Sequence, residues 1–487
     1  MDIKRTGLIL KPNNARVLFR PFEFSDQQRI MKIMARVMEL TDAEVDALVE
    51  VVLTEFHGRH YRLQQYFLDR FDALREHLIT DRALTEQRRM LIGSYFTQEY
   101  ALESAALFNP SIVWHPDQTG VDKASKRFIL SLRATGEGHI SSIAFRSGVV
   151  DGAGNITIDK PTGFVTAPSV TPSFQYEKTL FLRKLDELGV ANGFVELTFG
   201  ALDEQFSIED LETRVRLVLR QHRARQHDWA PLAKAVLALA KANYEIECDP
   251  ASDVSERIIF PYSPTETNGI EDARFVEFVD DDGARTYYAT YTAFDGNVVF
   301  PQLVETSDFI RFRISTLNGP EVRNKGLALF PRKIGGNYAM ISRQDGENMY
   351  LMYSDLIHFW YTKIPLLKPT YPWEFVQVGN CGSPIETEAG WLVLTHGVGP
   401  MRKYSIGAIL LDRDDPSRVL GRLDQPLLAP DENERAGYVP NVVYSCGAVV
   451  HAGRLIIPYA MSDFASTFAT VPVAEVIDAM VPGAGAS

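Results

Sequence analysis

The sequence has little of several things, and each shortage excludes something. Only three cysteines occur in 487 residues, Cys248, Cys381 and Cys446, an odd number set far apart. That rules out a disulfide scaffold and gives no metal-ligand spacing, so a reducing cytoplasm is the expected home and no metal or other cofactor is expected. No run approaches the roughly 18 uninterrupted apolar residues of a membrane span. The opening MDIKRTGLILKPNN has only a short apolar patch, so no export signal is expected. Positive charge is in deficit, with a formal net charge of −13, which argues against nucleic-acid partners. Dinucleotide and P-loop fingerprints are missing, as is a G-x-S-x-G nucleophile elbow. Hydrophobic residues at 45% and charged residues at 23% describe an ordinary globular chain, not a disordered one.

What is present falls into two textures. Residues 25–92 read as helices: Ser25 or Asp26 caps the first, and Thr41 with Glu44 forms a capping box before the second. Val45, Leu48, Val49 and Val52 then recur at helical spacing. Beyond residue 105 short β-rich runs take over, each led through a Gly or Asp turn into an aromatic-rich strand. Such pairs run from Ser111–His115 to Phe128–Leu132, from Arg274–Phe278 to Tyr287–Thr292, and from Leu327–Pro331 to Tyr338–Ser342. Pro384–Thr387 leads likewise to Trp391–Thr395, and Val442–Val450 to Leu455–Tyr459. The last four copies start about 55 to 60 residues apart, a spacing typical of four-stranded propeller blades. A second helical stretch fills the wide gap after the first copy, capped by Ser207 and presenting Leu211, Val215, Val218 and Leu219 on one face. The expectation is a mainly β chain: a helical region over 1–104, then a five-bladed β-propeller over 105–487 with a helical insertion at about 205–247. The helical faces suit packing on the chain's own sheets or on a second copy, as a homo-oligomer.

Several strings carry a resemblance. Asn109-Pro110, the segment SLRATGEGHISS around Arg133, and Gly269-Ile270-Glu271-Asp272-Ala273-Arg274 resemble glycoside hydrolase family 130. So do GSPIETEAGWLVLTHGV at 382–398, YSIGAILLDRDDP at 404–416 and GYVPNVVYSCGAVV at 437–450. The resemblance covers most of residues 105–470 in order. It implies a five-bladed propeller and an inverting β-mannoside phosphorylase, with a minority of β-mannoside hydrolases in the family.

Inverting cleavage of a glycoside needs a proton for the leaving oxygen and a nucleophile on the opposite face. A hydrolase uses a second carboxylate to activate water. A phosphorylase needs cations that hold phosphate in line. From spacing alone, Asp272 reads more readily as part of a structural Glu271–Asp272–Arg274 ion-pair cluster than as an acid; the resemblance implies the acid. Lys325, Arg343 and His396 stand at strand ends in adjacent repeats, and the resemblance implies that they bind phosphate. Asn109, Arg133 and Asp463 match family positions that hold the terminal mannose, although Asn109 and Asp463 also suit turn roles. Glu271, Arg274 and His139 are further candidate substrate contacts. Where family phosphorylases often carry lysine, this chain has Gln377, which brings no charge. That departure, with Glu386 as a spare carboxylate, keeps hydrolysis open. Trp360, Trp373 and Trp391 suit either sugar stacking or packing between blades. The expected activity is phosphorolysis of a β-mannoside to α-mannose 1-phosphate and a shortened acceptor sugar, with inorganic phosphate as co-substrate. The alternatives are an inverting β-mannoside hydrolase and a non-catalytic glycan-binding propeller.

Overall fold

A computed structural model describes residues 1–172, 175–190, 192–296 and 298–482. Its body is five antiparallel sheets, and in each the strands follow one another in chain order from one edge. The first contains Ala106–Trp114, Lys126–Thr135 and Ser141–Val150, with Ile258–Ile259 added from later in the chain. In the second, Ile270–Val279, Arg285–Phe294, Val299–Thr306 and Arg311–Thr316 are extended by Tyr244–Glu247 and Ser169–Pro172. The third runs Ala328–Leu329, Tyr338–Ser342, Met349–Ser354 and Lys363–Leu367. In the fourth, Gln377–Asn380 and Ile385–Thr387 both pair with Gly390–Val398, followed by Tyr404–Leu411 and Val419–Arg422. The fifth has Val443–Tyr444 and Val449–His451 on Arg454–Met461, then Ala465–Pro472, and Lys4–Arg5 as its outer strand.

Burial decides how these sheets meet. Strand residues alternate between two faces, so a sheet buried on both sides must be apolar on both. Gly390–Val398 is buried along its whole length, and its two faces feed different apolar clusters. Trp391 and Val393 join Phe330 and Ile341 of the third sheet, whereas Leu392 and Leu394 join Val443 and Tyr459 of the fifth. Clusters of the same kind join the first sheet to the second through Phe145 and Phe275, and the second to the third through Phe278 and Met340. Another joins the fifth back to the first through Phe468 and Leu130. Trp360 and Trp391 are fully buried in these seams, so both are packing residues and not sugar platforms.

The helices lie outside the sheets. Gln27–Glu39, Asp42–Phe56, Leu63–Leu74 and Glu86–Tyr95 share one core, and the Thr41–Glu44 capping box is formed. Val45 and Val49 enter that core, but Leu48 is 38% exposed, because the helix buries a narrower stripe than its hydrophobic spacing implies. Ser207 caps Ile208–Gln221 as anticipated. The helical insertion, however, begins at Lys178–Glu187 and includes Gly193–Phe199, well before residue 205. These two helices are short and end in glycine-marked turns, so their periodicity never runs long enough to read. They become stable by joining the core that Leu211, Val215 and Trp229 build.

Candidate active site

Two neighbouring edge strands break register at matching places. The ladder of Ala106–Trp114 slips between Phe108 and Ser111, and that of Ile270–Val279 slips between Glu271 and Arg274. Each slip is a bulge that takes one polar residue out of the ladder in left-handed backbone: Asn109 at φ 49° and Asp272 at φ 55°. Asn and Asp tolerate this region best among residues with a side chain, yet the conformation still costs about 1 kcal/mol or more each. The outcome is a direct contact, with Asn109 Nδ2 donating to Asp272 Oδ1 at 2.6 Å.

Charge gathers round that pair. Arg133 Nη2 donates to Glu271 at 2.9 Å, its Nη1 lies 3.7 Å from Asp272, and its Nε donates to Ser141 Oγ. Lys325 Nζ donates to the other Glu271 oxygen. Burial alone would raise the Asp272 carboxyl. The Arg133 and Arg274 guanidiniums, the Asn109 hydrogen bond and Lys325 outweigh it, and hold the carboxyl below the usual range. Asp463 is also left-handed, at φ 52°. Burial, followed by the Asp272 charge, pushes its carboxyl up to about 6. One carboxyl is held ionised and its neighbour is held ready to carry a proton.

Arg274 departs from the expected substrate contact. It is only 2% exposed, and it donates to the Asp272 carbonyl at 2.9 Å, to Tyr444 Oη at 2.6 Å and to Asn380 Oδ1 at 3.3 Å. It therefore lies beneath the site and fixes the Asp272 backbone. His396 departs in the same way. It too is 2% exposed; Nδ1 bonds the Asn380 carbonyl at 3.1 Å, and Nε2 faces Arg343 Nη1 at 3.2 Å. Burial first, then the Arg343 and Arg274 charges, push its imidazole well down, so it is neutral, with Nδ1–H donating and Nε2 accepting. Gln377, turned so that its oxygen meets Arg343 Nη1 at 2.7 Å, donates to the Gly346 carbonyl at 3.3 Å. Arg343 is thus aimed by two neutral acceptors, while its buried Nε has no partner among the described residues. Gly326, next to Lys325, lies beside Arg343 and is in left-handed backbone at φ 83°, which is what calls for glycine there.

A cavity of about 470 Å³ opens over this floor, lined by Phe108, Arg133, His139, Glu271, Tyr438 and Asp463. Glu386 is elsewhere. It pairs with Arg332 at 2.8 Å and Arg413 at 2.9 Å, and its strand partner is Trp391. Trp391 precedes His396 by five residues on one strand, about 17 Å away. Sequence reasoning passed over Asn380, which ties Arg274, His396 and, through Nδ2 at 2.5 Å, the Gly326 carbonyl together. Its place between Gly379 and Gly382 was the available signal. Among the described residues no group of three or more His, Cys, Asp or Glu side chains is placed to hold a metal ion, and no helix is long and apolar enough to cross a membrane.

Converging carboxylates and cations at the end of sheet-edge strands, beside an open cavity, are the layout of an enzyme's active site. The relatives agree. A family model described as beta-1,4-mannooligosaccharide phosphorylase matches residues 241–481. A 1,2-beta-oligomannan phosphorylase of Thermoanaerobacter sp. (strain X514) is 33% identical over 249 residues, 49% of this chain and 81% of the relative. A beta-1,2-mannobiose phosphorylase of Listeria innocua serovar 6a is 31% identical over 232 residues, 45% of this chain and 62% of the relative. The solved structure of a Listeria innocua beta-1,2-mannobiose phosphorylase with beta-1,2-mannobiose aligns over 77% of this chain and 92% of that one, at 20% identity and a TM-score of 0.46. The chain belongs to glycoside hydrolase family 130, and it is an enzyme.

Proposed function

We propose that this enzyme phosphorolyses a β-mannoside with inversion, giving α-mannose 1-phosphate and a shortened acceptor sugar, and that its five sheets are the blades of a closed propeller. The observation that carries the reading is the pairing of one shielded carboxylate, Asp272, with two cations, Lys325 and Arg343, gathered within the same site. In this reading the terminal mannose lies on Asn109, Arg133 and Asp463. Phosphate attacks its anomeric carbon from the opposite face. The carbon–oxygen bond to the acceptor breaks, a carbon–oxygen bond to phosphate forms, and the departing oxygen takes a proton delivered through Asp272.

The resting ionisation of Asp272 fits this sequence of events. Lys325 spends its charge on Glu271 in the free enzyme. A phosphate dianion that claims Lys325 and Arg343 adds negative charge near Asp272 and weakens the field that keeps it ionised. The acid is then loaded when the nucleophile is in place. Arg343, which is half-buried, carries the phosphate contact; His396 and Gln377 orient it and do not touch phosphate themselves. Glu386 is neutralised by two arginines and too distant to activate a water, which counts against hydrolysis.

The test is a product assay on β-1,2- and β-1,4-linked manno-oligosaccharides with and without inorganic phosphate. Mannose 1-phosphate formed only with phosphate is the expected outcome. Free mannose at equal rates in both would overturn the reading.

A further inference from the structure

The cavity over the catalytic floor has an unexplained mouth. Tyr438 lines it and is 68% exposed, a large ring presented to the opening. The ring is not on a loose loop. Val439 N–H donates to the Ser462 carbonyl at 3.0 Å, and Asn441 N–H to the Arg435 carbonyl at 3.3 Å. Gly437 sits so close to Ser462 that a Cβ would come within 2.4 Å of its carbonyl oxygen. The backbone on both sides of Tyr438 is therefore clamped while its side chain is held out.

Across the mouth, His139 stacks on that ring with centroids 5.6 Å apart and planes 29° from parallel. His139 is itself in left-handed backbone, at φ 60°, anchored by its N–H to the Gly136 carbonyl at 3.1 Å. Two loops, from the first and fifth sheets, thus set a pair of flat rings at the rim, the one by left-handed backbone at His139 and the other by the clamped segment round Tyr438. A flat ring with a polar edge suits one ligand feature above others: the apolar face of a pyranose, with its hydroxyls pointing sideways into water.

We infer that Tyr438, braced by His139, is the platform for the sugar on the leaving-group side, and so sets acceptor affinity and choice. The inference rests on the functional reading above. With the terminal mannose on Asn109, Arg133 and Asp463 at the floor, the next ring of the chain lies toward the mouth, where Tyr438 stands. The rim is open beyond it, so the platform accepts a chain continuing outward.

The test runs the reaction in reverse, from α-mannose 1-phosphate and a manno-oligosaccharide acceptor, and compares Tyr438→Ala, Tyr438→Phe and Tyr438→Trp. Loss of one aromatic contact predicts an acceptor KM raised about tenfold in the alanine variant. The KM for α-mannose 1-phosphate should stay within about twofold, and both aromatic variants should behave like the parent. Equal rises in both KM values, or an unmoved acceptor KM, would overturn the inference. The ring is exposed, so thermal melting of Tyr438→Ala should match the parent, which separates platform loss from misfolding. A parent that neither makes nor cleaves a mannoside would instead refute the functional reading itself.

Discussion

Replacing Asp272 by Asn separates proton delivery from every other task of the site. The substitution is mild for the backbone, because Asn accepts the left-handed conformation at φ 55° as readily as Asp. It also keeps an oxygen for the 2.6 Å hydrogen bond from Asn109. What disappears is the charge between Arg133 and Arg274 and the ability to carry a proton. A positioned general acid is worth about 10²- to 10⁴-fold, so kcat/KM on a mannobiose should fall by that amount. A 4-nitrophenyl β-mannoside has a leaving group that departs without protonation, and its phosphorolysis should fall less than about tenfold. Stability changes too. Because the folded-state pKa lies below the ordinary one, the ionised carboxylate stabilises the fold above the ordinary range and ceases to as pH falls through the folded value. The variant should therefore melt lower than the parent at pH 7, by roughly 3 kcal/mol or less, with the gap closing in strong acid. Initial rates on the two substrates, with thermal melts at both pH values, make the assay. Equal losses on both substrates would refute the acid role, since the deficit would then lie in binding or in folding.

Two other substitutions probe the supports. Asp463 has a folded-state pKa near 6 against an ordinary 3.8, so the folded form holds the proton more tightly and stability falls as pH rises through that window. Asp463→Asn should thus raise the melting temperature at pH 8, by about 1–3 kcal/mol in stability, but not at pH 4, while weakening catalysis; a variant less stable at pH 8 would contradict the assignment. Gly379→Ala would place a methyl 2.4 Å from His396 Cε1 and 3.3 Å from Arg343 Cδ. The KM for phosphate should rise about tenfold or more, while KM for the sugar stays near the parent value; unchanged phosphate kinetics would show that Arg343 is not the phosphate contact.

Much of the sheet architecture was legible because strands buried on both faces must be continuously apolar. Trp391–Thr395 and Leu455–Tyr459 announced themselves in that way. The short helices near Lys178 did not, since their stability is borrowed from the core they join. At the site, residue types were readable but depth was not. Arg274 and His396 look in sequence like any cation or donor at a strand end, and only folding shows them sealed at 2% exposure. Asn380 was missed for the converse reason: a lone asparagine between glycines looks like a turn, whereas here it is the joint on which three site residues hang. The two bulges were invisible because register is a property of a pair of strands and not of either alone.

The outermost strand of the fifth sheet comes from the other end of the chain: Lys4 pairs with Thr470 and Arg5 with Ala469. The loop that this pairing closes is nearly the entire polypeptide, and contacts of such long sequence separation form late. In vectorial synthesis, residues 4–5 are made long before the last sheet and must wait for it before they find a partner. Until then the Ala465–Pro472 edge is an unprotected template for another chain. The strand is two residues long and exposed, so local opening of this edge is expected before that of the large aromatic seams between the sheets.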